Sequence, residues 1–210
     1  MNDRKQKFEN FWYYNKIPVL LGLVALIFVG MASLSFITNS ESDLKITMLT
    51  SVPQEEFGLF LKPMLQEHLI DINGDHYVEV GVRDMLLNDE LTAEESATVQ
   101  KAILSQMANR GATLFLFDRP NYELMVQKDA FCPLDQIISL DGFENQVLYR
   151  DDVPVAVSLA GSKLLKEAGA VTEELYALVL FQRPEDADKP EIQQEYENAK
   201  IALELLLVKE

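Results

Sequence analysis

Three side chains with oxygen ligands, Asp71, Asn73 and Asp75, occupy alternate positions in a short polar segment. Carboxylate and amide oxygens at this spacing can encircle a calcium ion, as they do in the EF-hand. The pattern then fails, because the sixth and twelfth loop positions require glycine and a bidentate acid, and this chain has His76 and Val82 there. A polar turn is the better explanation of the segment, since an Asn-Gly pair readily adopts positive φ. We therefore expect a turn and no metal site.

The other residue types that carry catalysis lack their partners. His68 and His76 are the only histidines, and no third metal ligand stands at a recognisable spacing from them. The single cysteine, Cys132, has no histidine near it in the sequence, and no serine lies in a G-x-S-x-G context. Glycine-rich and lysine-containing phosphate loops are absent from the sequence as well. We therefore expect no enzymatic activity and no cofactor, and we interpret Cys132 as a small packed residue.

Polar residues that follow apolar runs are better candidates, and the chemistry they suggest is ligand binding. Ligands of open α/β sheets bind beyond the carboxyl ends of the strands. The residues that meet this rule are Thr50, Ser51, Asp118, Arg119, Asn121, Tyr122 and Arg183. Arg119 and Arg183 can pair with an anionic ligand, and Tyr122 can stack on it. Asp118 with Arg119 can equally form a local salt bridge or a helix cap, and this structural role is the simpler interpretation.

Alternating strands and helices must position these residues. Apolar runs or apolar–polar alternation predict strands at 44–49, 76–82, 113–117, 153–159 and 175–181. Helices are predicted at 57–69 after a capping box of Ser51 with Gln54, at 92–108 after a capping box of Thr92 with Glu95, and at 162–168. The second of these helices is expected to stop at an αL cap within 109–111.

A closing helix carries apolar residues at spacings of three and four, namely Ile192, Tyr196, Ala199, Leu203 and Leu206. We expect this face to pack in the core. The whole pattern predicts an α/β domain with a layered, mostly parallel sheet flanked by helices.

Residues 17–37 form an uncharged run long enough, as a helix, to cross a hydrocarbon core of about 30 Å. Basic residues precede the run, and an aromatic cluster at 11–14 adjoins it, as is typical of a cytoplasmic flank. We therefore expect a cytoplasmic tail at 1–16, a transmembrane helix at 17–37, a linker at 38–43 and an extracytoplasmic domain at 44–210. A cleaved signal peptide is the alternative, although the run exceeds the usual apolar region of about 7 to 15 residues.

The composition narrows the choice of partners. The formal net charge is −16, which opposes binding to nucleic acid. About 170 residues remain outside the tail and the span, enough for one domain with a core of its own. We expect the membrane, through 17–37, to be one partner, and a protein or a small solute to be the other.

The chain resembles a lobe of the solute-binding proteins of the periplasmic-binding class. The resemblance rests on the first strand with its long helix, the apolar strand at 113–117, the phrase Ala130-Phe131-Cys132-Pro133-Leu134-Asp135 and the later strand Val153-Pro154-Val155-Ala156-Val157. It implies a binding protein, although that class usually has two lobes and nearly twice this length. The span with residues 11–14 is similar to small single-pass proteins of anaerobic gram-positive bacteria, which implies a location and no activity.

These expectations together predict a membrane-anchored, extracytoplasmic binding or accessory module. The alternative is a solute-binding receptor component of a transport system. The first would act through an exposed apolar surface and the second through a concave pocket near Asp118 and Arg119.

Overall fold

The computed structural model describes residues 42–54, 56–170 and 174–208, together with Tyr13. Apart from Tyr13, these residues belong to one compact unit, Ser42–Glu210. The strands are β1 (Leu44–Thr50), β2 (Val80–Leu86), β3 (Leu114–Asp118), β4 (Val147–Arg150), β5 (Val153–Ser158) and β6 (Leu175–Val179). The helices are α1 (Phe57–Gln66), α2 (Ala93–Ala108), α3 (Arg119–Met125), α4 (Lys163–Glu167) and α5 (Pro190–Leu207). An α/β domain with helices flanking a sheet is thereby confirmed.

The six strands form one sheet in the order β2-β1-β3-β6-β5-β4. Strand β1 runs parallel to both β2 and β3, whereas β3–β6, β6–β5 and β5–β4 are antiparallel pairs. The prediction of a mostly parallel sheet is therefore wrong. That prediction was based on strands that are apolar at every position. Strand β6 is buried throughout because helices cover both faces of the sheet, and yet it is antiparallel to its neighbours.

The antiparallel half contains a hairpin that the sequence pattern did not predict. Strands β4 and β5 are joined by Asp151 and Asp152, whose φ angles of 49° and 65° place both residues in the left-handed region. Two left-handed residues are the mark of a tight two-residue hairpin turn, and aspartate is one of the few residue types that tolerate this conformation. Asn-Gly is the usual sequence signal for such a turn, and an Asp-Asp pair does not predict it.

Two hydrophobic cores lie on opposite faces of the sheet. Helix α1 packs on one face with α4 and α5, through residues such as Leu61, Leu165 and Leu203. Helices α2 and α3 cover the other face, through residues such as Ile103 and Met125. The apolar face of α5 is buried at Tyr196, Ala199, Leu203 and Leu206 and half-buried at Ile192, which confirms its packing in the core.

Strand β2 begins four residues later than the predicted strand at 76–82. The Asp71 carboxylate accepts hydrogen bonds from the backbone amides of Gly74 and His76, and the Asp75 carboxylate accepts one from Tyr77. These side chains take the amides that a sheet ladder would need, and His76 adopts a φ of 67°. The oxygens that resembled a calcium loop thus bind the chain's own backbone.

The helix boundaries confirm one predicted capping box and contradict the other. The Thr92 side chain accepts from the Glu95 amide, and the Glu95 carboxylate accepts from the Thr92 amide, as predicted. Helix α1 begins at Phe57, without a side-chain cap, so the box of Ser51 with Gln54 is wrong. Helix α2 ends in a left-handed residue, Arg110, with φ 54°, which confirms the αL cap predicted within 109–111.

The predicted tail 1–16, apart from Tyr13, the predicted span 17–37 and residues 38–41 of the linker lie outside the described residues. Among the helices that the structure describes, none combines the length and the apolar character needed to cross a bilayer.

Candidate functional site

The carboxyl ends of β1, β2 and β3 lie side by side because these three strands are parallel and adjacent. The chain leaves β1 toward α1 on one face of the sheet and leaves β3 toward α3 on the other. Neighbouring strands whose connections diverge in this way leave a crevice at their ends, which is where open α/β sheets bind ligands. The sequence-predicted residues Ser51, Asp118 and Asn121 lie here.

Asp118 ends β3 and caps α3, and its carboxylate is fully engaged. One oxygen, Oδ1, accepts from the backbone amide of Asn121 at 3.3 Å and from its side-chain amide at 2.8 Å. The other, Oδ2, accepts from the Ser51 backbone amide at 2.6 Å. The side chain is buried, so Asp118 acts as a helix cap and as a tie between two strands. It forms no salt bridge with Arg119 in the described part of the chain.

Asn121 extends these hydrogen bonds between β1 and β3 to the end of β2. Its side-chain amide donates to the carbonyl of Leu87 at 3.2 Å as well as to Asp118, and it lies 3.5 Å from the Ser51 hydroxyl. Asn88 donates from its own side chain to the Ser51 carbonyl at 3.0 Å. We call Ser51, Asn88, Asp118 and Asn121 the strand-end network. It fixes the loops after all three parallel strands relative to one another.

A cleft with a volume of about 520 Å³ opens beside this network. Its polar lining comes from Ser51, Asn88, Asp89, Ser96, Gln100 and Asn121, and its apolar lining from Leu87, Pro120 and Leu124. The volume falls within the range of roughly 300 to 1,000 Å³ that is usual for small-molecule sites. The structure therefore supplies a concave site of ordinary size at the expected edge of the sheet.

Several polar groups in the cleft have no protein partner among the described residues. Asn121 is only 3% exposed, and its donor groups are used, but its Oδ1 oxygen accepts no hydrogen bond there. The side chains of Asp89, Ser96 and Gln100 likewise form no hydrogen bond within the described ranges, and the Ser51 hydroxyl donates none. These groups can form hydrogen bonds to water or to a ligand.

Two predicted site residues turn inward, away from the cleft. Thr50 is fully buried, and its hydroxyl donates to the carbonyl of Val52 at 2.9 Å. The Tyr122 ring is buried against Tyr176, with ring centroids 4.9 Å apart, and this burial raises the pKa of Tyr122. Burial, together with the hydrogen bond to Glu174, raises the pKa of Tyr176 to about 12. Tyr122 therefore stacks on a core tyrosine and is not available to stack on a ligand.

The two arginines of the predicted site, Arg119 and Arg183, lie at opposite ends of the strands. Arg119 is the first residue of α3, is exposed and lies 3.9 Å from Glu123 on the next turn. Arg183 donates to the Ala108 carbonyl at the end of α2, near the beginning of β3. The expectation that they pair on one anion assumed a parallel β6. Because β6 is antiparallel to β3, Arg183, which follows β6, lies near the amino end of β3 and not near its carboxyl end.

The sequence interpretation missed Asn88, Asp89, Ser96 and Gln100. Asn88 and Asp89 follow an apolar pair at the end of β2, and they would have been found had that strand been placed at 80–86 instead of 76–82. Ser96 and Gln100 are four positions apart on α2, so they share one helix face. Their part in the cleft depends on which face of the sheet α2 covers, which no local pattern reveals.

A second cavity, of about 420 Å³, lies between α1, α4 and α5 and is lined in part by Met64, His68, Leu164 and Leu205. Two of its charged lining residues, Lys163 and Glu167, pair with each other at 3.8 Å. In the described residues no cluster of histidine, cysteine and acidic side chains has the geometry to hold a metal ion. The cleft is thus the better candidate for a specific polar ligand.

Comparison with known protein families, with curated proteins and with solved structures finds no match to this chain. The resemblance to solute-binding proteins therefore stays a prediction, and the geometry of the cleft is the basis for inferring a function.

Proposed function

We propose that this protein is a single-pass membrane protein whose extracytoplasmic domain binds a small ligand in the cleft beside the strand-end network. The domain acts by binding and not by catalysis, and it serves as a binding or accessory module at the cell membrane. Residues 17–37 anchor it, with the N-terminus in the cytoplasm. A receptor that hands its solute to a transport system is the narrower alternative within this proposal.

The proposed binding function rests on one observation. Polar groups that have no protein hydrogen-bond partner in the described residues lie at the carboxyl ends of β1, β2 and β3. The strand-end network already satisfies both oxygens of Asp118, so it provides a rigid frame. The adjacent Asn121 carbonyl and the side chains of Ser96 and Gln100 are left for a ligand. Binding sites combine such a fixed frame with a few free polar groups in a concave, partly apolar space.

Ligand-dependent thermal stabilisation of the full-length protein in lipid nanodiscs tests this function. The screen comprises sugars, amino acids, short peptides and calcium, and a true ligand at about 100 times its Kd is expected to raise Tm by about 5 to 10 °C. Ser96→Trp fills the cleft and should abolish the shift. Ala97→Trp places the same side chain at an exposed neighbour and should leave it unchanged. A shift that survives Ser96→Trp would place the ligand elsewhere.

Cysteine labelling in intact cells tests the location. The only native cysteine, Cys132, is buried, and burial raises the pKa of its thiol to about 12, so the unmodified protein gives almost no background. Asn2→Cys and Glu204→Cys place one reactive thiol before the predicted span and one on an exposed position of α5. A membrane-impermeant maleimide should label the second variant in intact cells and the first only after lysis. The reverse pattern would contradict the proposed topology.

A protein partner is the second candidate, and exposed apolar residues on α1 favour it. Leu59 and Phe60 are 69% and 52% exposed, although they lie on a helix whose other face is buried. Large adjacent apolar side chains in water are typical of interaction sites. Crosslinking of the full-length protein in its native membrane, compared with Leu59→Ser, tests this candidate. A partner that is retained by the variant would not use this surface.

A further inference from the structure

The chemical character of the cleft lining goes one step beyond binding and indicates a ligand class. The described lining residues include no lysine, arginine or histidine. The nearest predicted cation, Arg119, lies outside the lining, is 65% exposed at its side chain and pairs with Glu123. An anionic ligand would therefore lose its hydration without gaining a countercharge, in a protein of net charge −16. This argues against phosphate, sulfate and carboxylate ligands.

The polar groups of the cleft that can still form hydrogen bonds are almost all neutral, and they include both donors and acceptors. Asn121 offers a carbonyl acceptor, Gln100 offers a carbonyl and an amide, and Ser51 and Ser96 offer hydroxyls. A hydroxyl group on a ligand both donates and accepts, so it can satisfy every one of these groups. An ammonium group only donates, and it would leave the Gln100 amide and the serine hydroxyl hydrogens without acceptors.

The remaining lining fits the two other surfaces of a hydroxylated ring. Leu87, Pro120 and Leu124 form an apolar wall, against which the C–H face of a ring can pack. Asp89 is exposed at the mouth of the cleft, and its two carboxylate oxygens can accept from two neighbouring hydroxyls. One exposed carboxylate among neutral groups is suited to hydroxyls and too little to compensate a dehydrated cation.

From these observations we infer that the cleft takes an uncharged, polyhydroxylated ring compound of the sugar or cyclitol class, with Gln100 and Asn121 as its principal hydrogen-bonding residues. This inference rests on the proposed binding function and specifies its ligand. Asn121 also holds the strand-end network together, so its substitution would confound binding with folding. Gln100 has no such role within the described residues and is the residue to vary.

The test is a set of calorimetric titrations of the full-length protein in nanodiscs. Glucose, N-acetylglucosamine and myo-inositol are the neutral probes, inorganic phosphate is the anionic probe and spermidine the cationic probe. Saturable binding of a neutral probe is expected, with affinity about 3- to 10-fold lower in Gln100→Ala, as the loss of one or two neutral hydrogen bonds implies. Lys101→Ala, at an exposed neighbouring position, should bind as the unmodified protein does.

The other outcomes separate the ligand class from the binding function. Binding of phosphate or spermidine that weakens in Gln100→Ala would overturn the ligand class and leave the cleft as a binding site. Binding of a neutral probe that Gln100→Ala does not affect would overturn the assignment to this cleft. Absence of binding by all five probes, at concentrations up to tens of millimolar, would overturn the ligand class, and the thermal screen with peptides, amino acids and calcium then decides the binding function separately.

Discussion

The backbone amide of Ser51 donates to the Asp118 carboxylate at 2.6 Å, so the residue after β1 is held directly by the last residue of β3. The bond spans 67 positions of sequence and joins the two strands between which the crevice opens. A single carboxylate thus caps α3 and sets the shape of the cleft. Asp118 stabilises the fold and supports the cleft at the same time, which makes it a poor position for testing the proposed binding and a good one for testing the strand-end network.

Replacing Asp118 should destabilise the fold. Asp118→Ala removes the cap of α3 and leaves the Ser51 amide without its acceptor, which should lower the free energy of unfolding by about 2 to 4 kcal/mol. Asp118→Asn keeps one acceptor oxygen and should lie between this variant and the unmodified protein. Urea denaturation measures the effect. Arg119→Ala, at the exposed next position, should change the value by less than about 0.5 kcal/mol, and an equal loss in both variants would contradict the assigned role.

Asn198 is the centre of a second hydrogen-bond network, which lies at the amino end of β1, at the opposite end of the strand from the cleft. Its side-chain amide donates to the carbonyls of Asp43 at 3.0 Å and Ile70 at 2.8 Å, and its carbonyl accepts from the Ile70 amide at 2.8 Å. The residue is fully buried, so Asn198→Ala should cost about 2 to 4 kcal/mol in the free energy of unfolding. Glu204→Ala, on the exposed side of the same helix, provides the control. A loss below about 1 kcal/mol in Asn198→Ala would show that the network contributes little.

The same substitution, threonine to valine, should change the free energy of unfolding in opposite directions at two buried positions. Thr47, in β1, has a buried hydroxyl without a hydrogen-bond partner in the described residues, so Thr47→Val should raise the free energy of unfolding by about 1 kcal/mol. The Thr113 hydroxyl donates to Glu195 at 2.5 Å, and Thr113→Val should lower the free energy of unfolding. Thermal and urea denaturation of both variants give the comparison. Equal effects of one sign would mean that the valine side chain, and not the hydrogen bond, determines the result.

Asp186 should make part of the stability dependent on acid pH. Hydrogen bonds from Lys189, at 2.6 Å, and from Arg110, at 2.7 Å, lower the pKa of Asp186 from the usual 3.8. Since the pKa is lower in the folded state, the stabilisation is present in full above the unfolded value and is lost as the pH falls through the folded one. Asp186→Asn should therefore destabilise the protein at pH 7, and the difference should shrink in acid. A difference that is constant from pH 7 to pH 2 would contradict this.

The sequence predicted the elements better than their directions. The Thr92–Glu95 capping box and the buried face of α5 were predictable because caps and helical stripes depend on residues a few positions apart. Strand direction was not, because an apolar pattern reports burial on both faces and says nothing of which way a neighbour runs. The error at β6 carried over to Arg183, whose predicted place at the site depended on that direction.

The candidate site was predictable where it follows from strand ends and not where it follows from packing. Ser51, Asp118 and Asn121 lie within four residues of the ends of apolar runs, so the rule for ligand sites in α/β sheets located them. Ser96 and Gln100 enter the cleft only because α2 covers one particular face of the sheet. Asn88 was missed for a local reason, since the Asx turns at Asp71 and Asp75 delay the start of β2.

Hydrogen exchange of the full-length protein in nanodiscs, measured with and without a stabilising probe from the thermal screen, tests most directly whether the cleft is the binding site. Binding there should protect the backbone amides of the loops after β1, β2 and β3, and the first turns of α2 and α3, because these segments surround the cleft. Protection confined to these segments is the predicted result. Protection centred instead on Met64, Leu164 and Leu205, in the cavity between α1, α4 and α5, would contradict it.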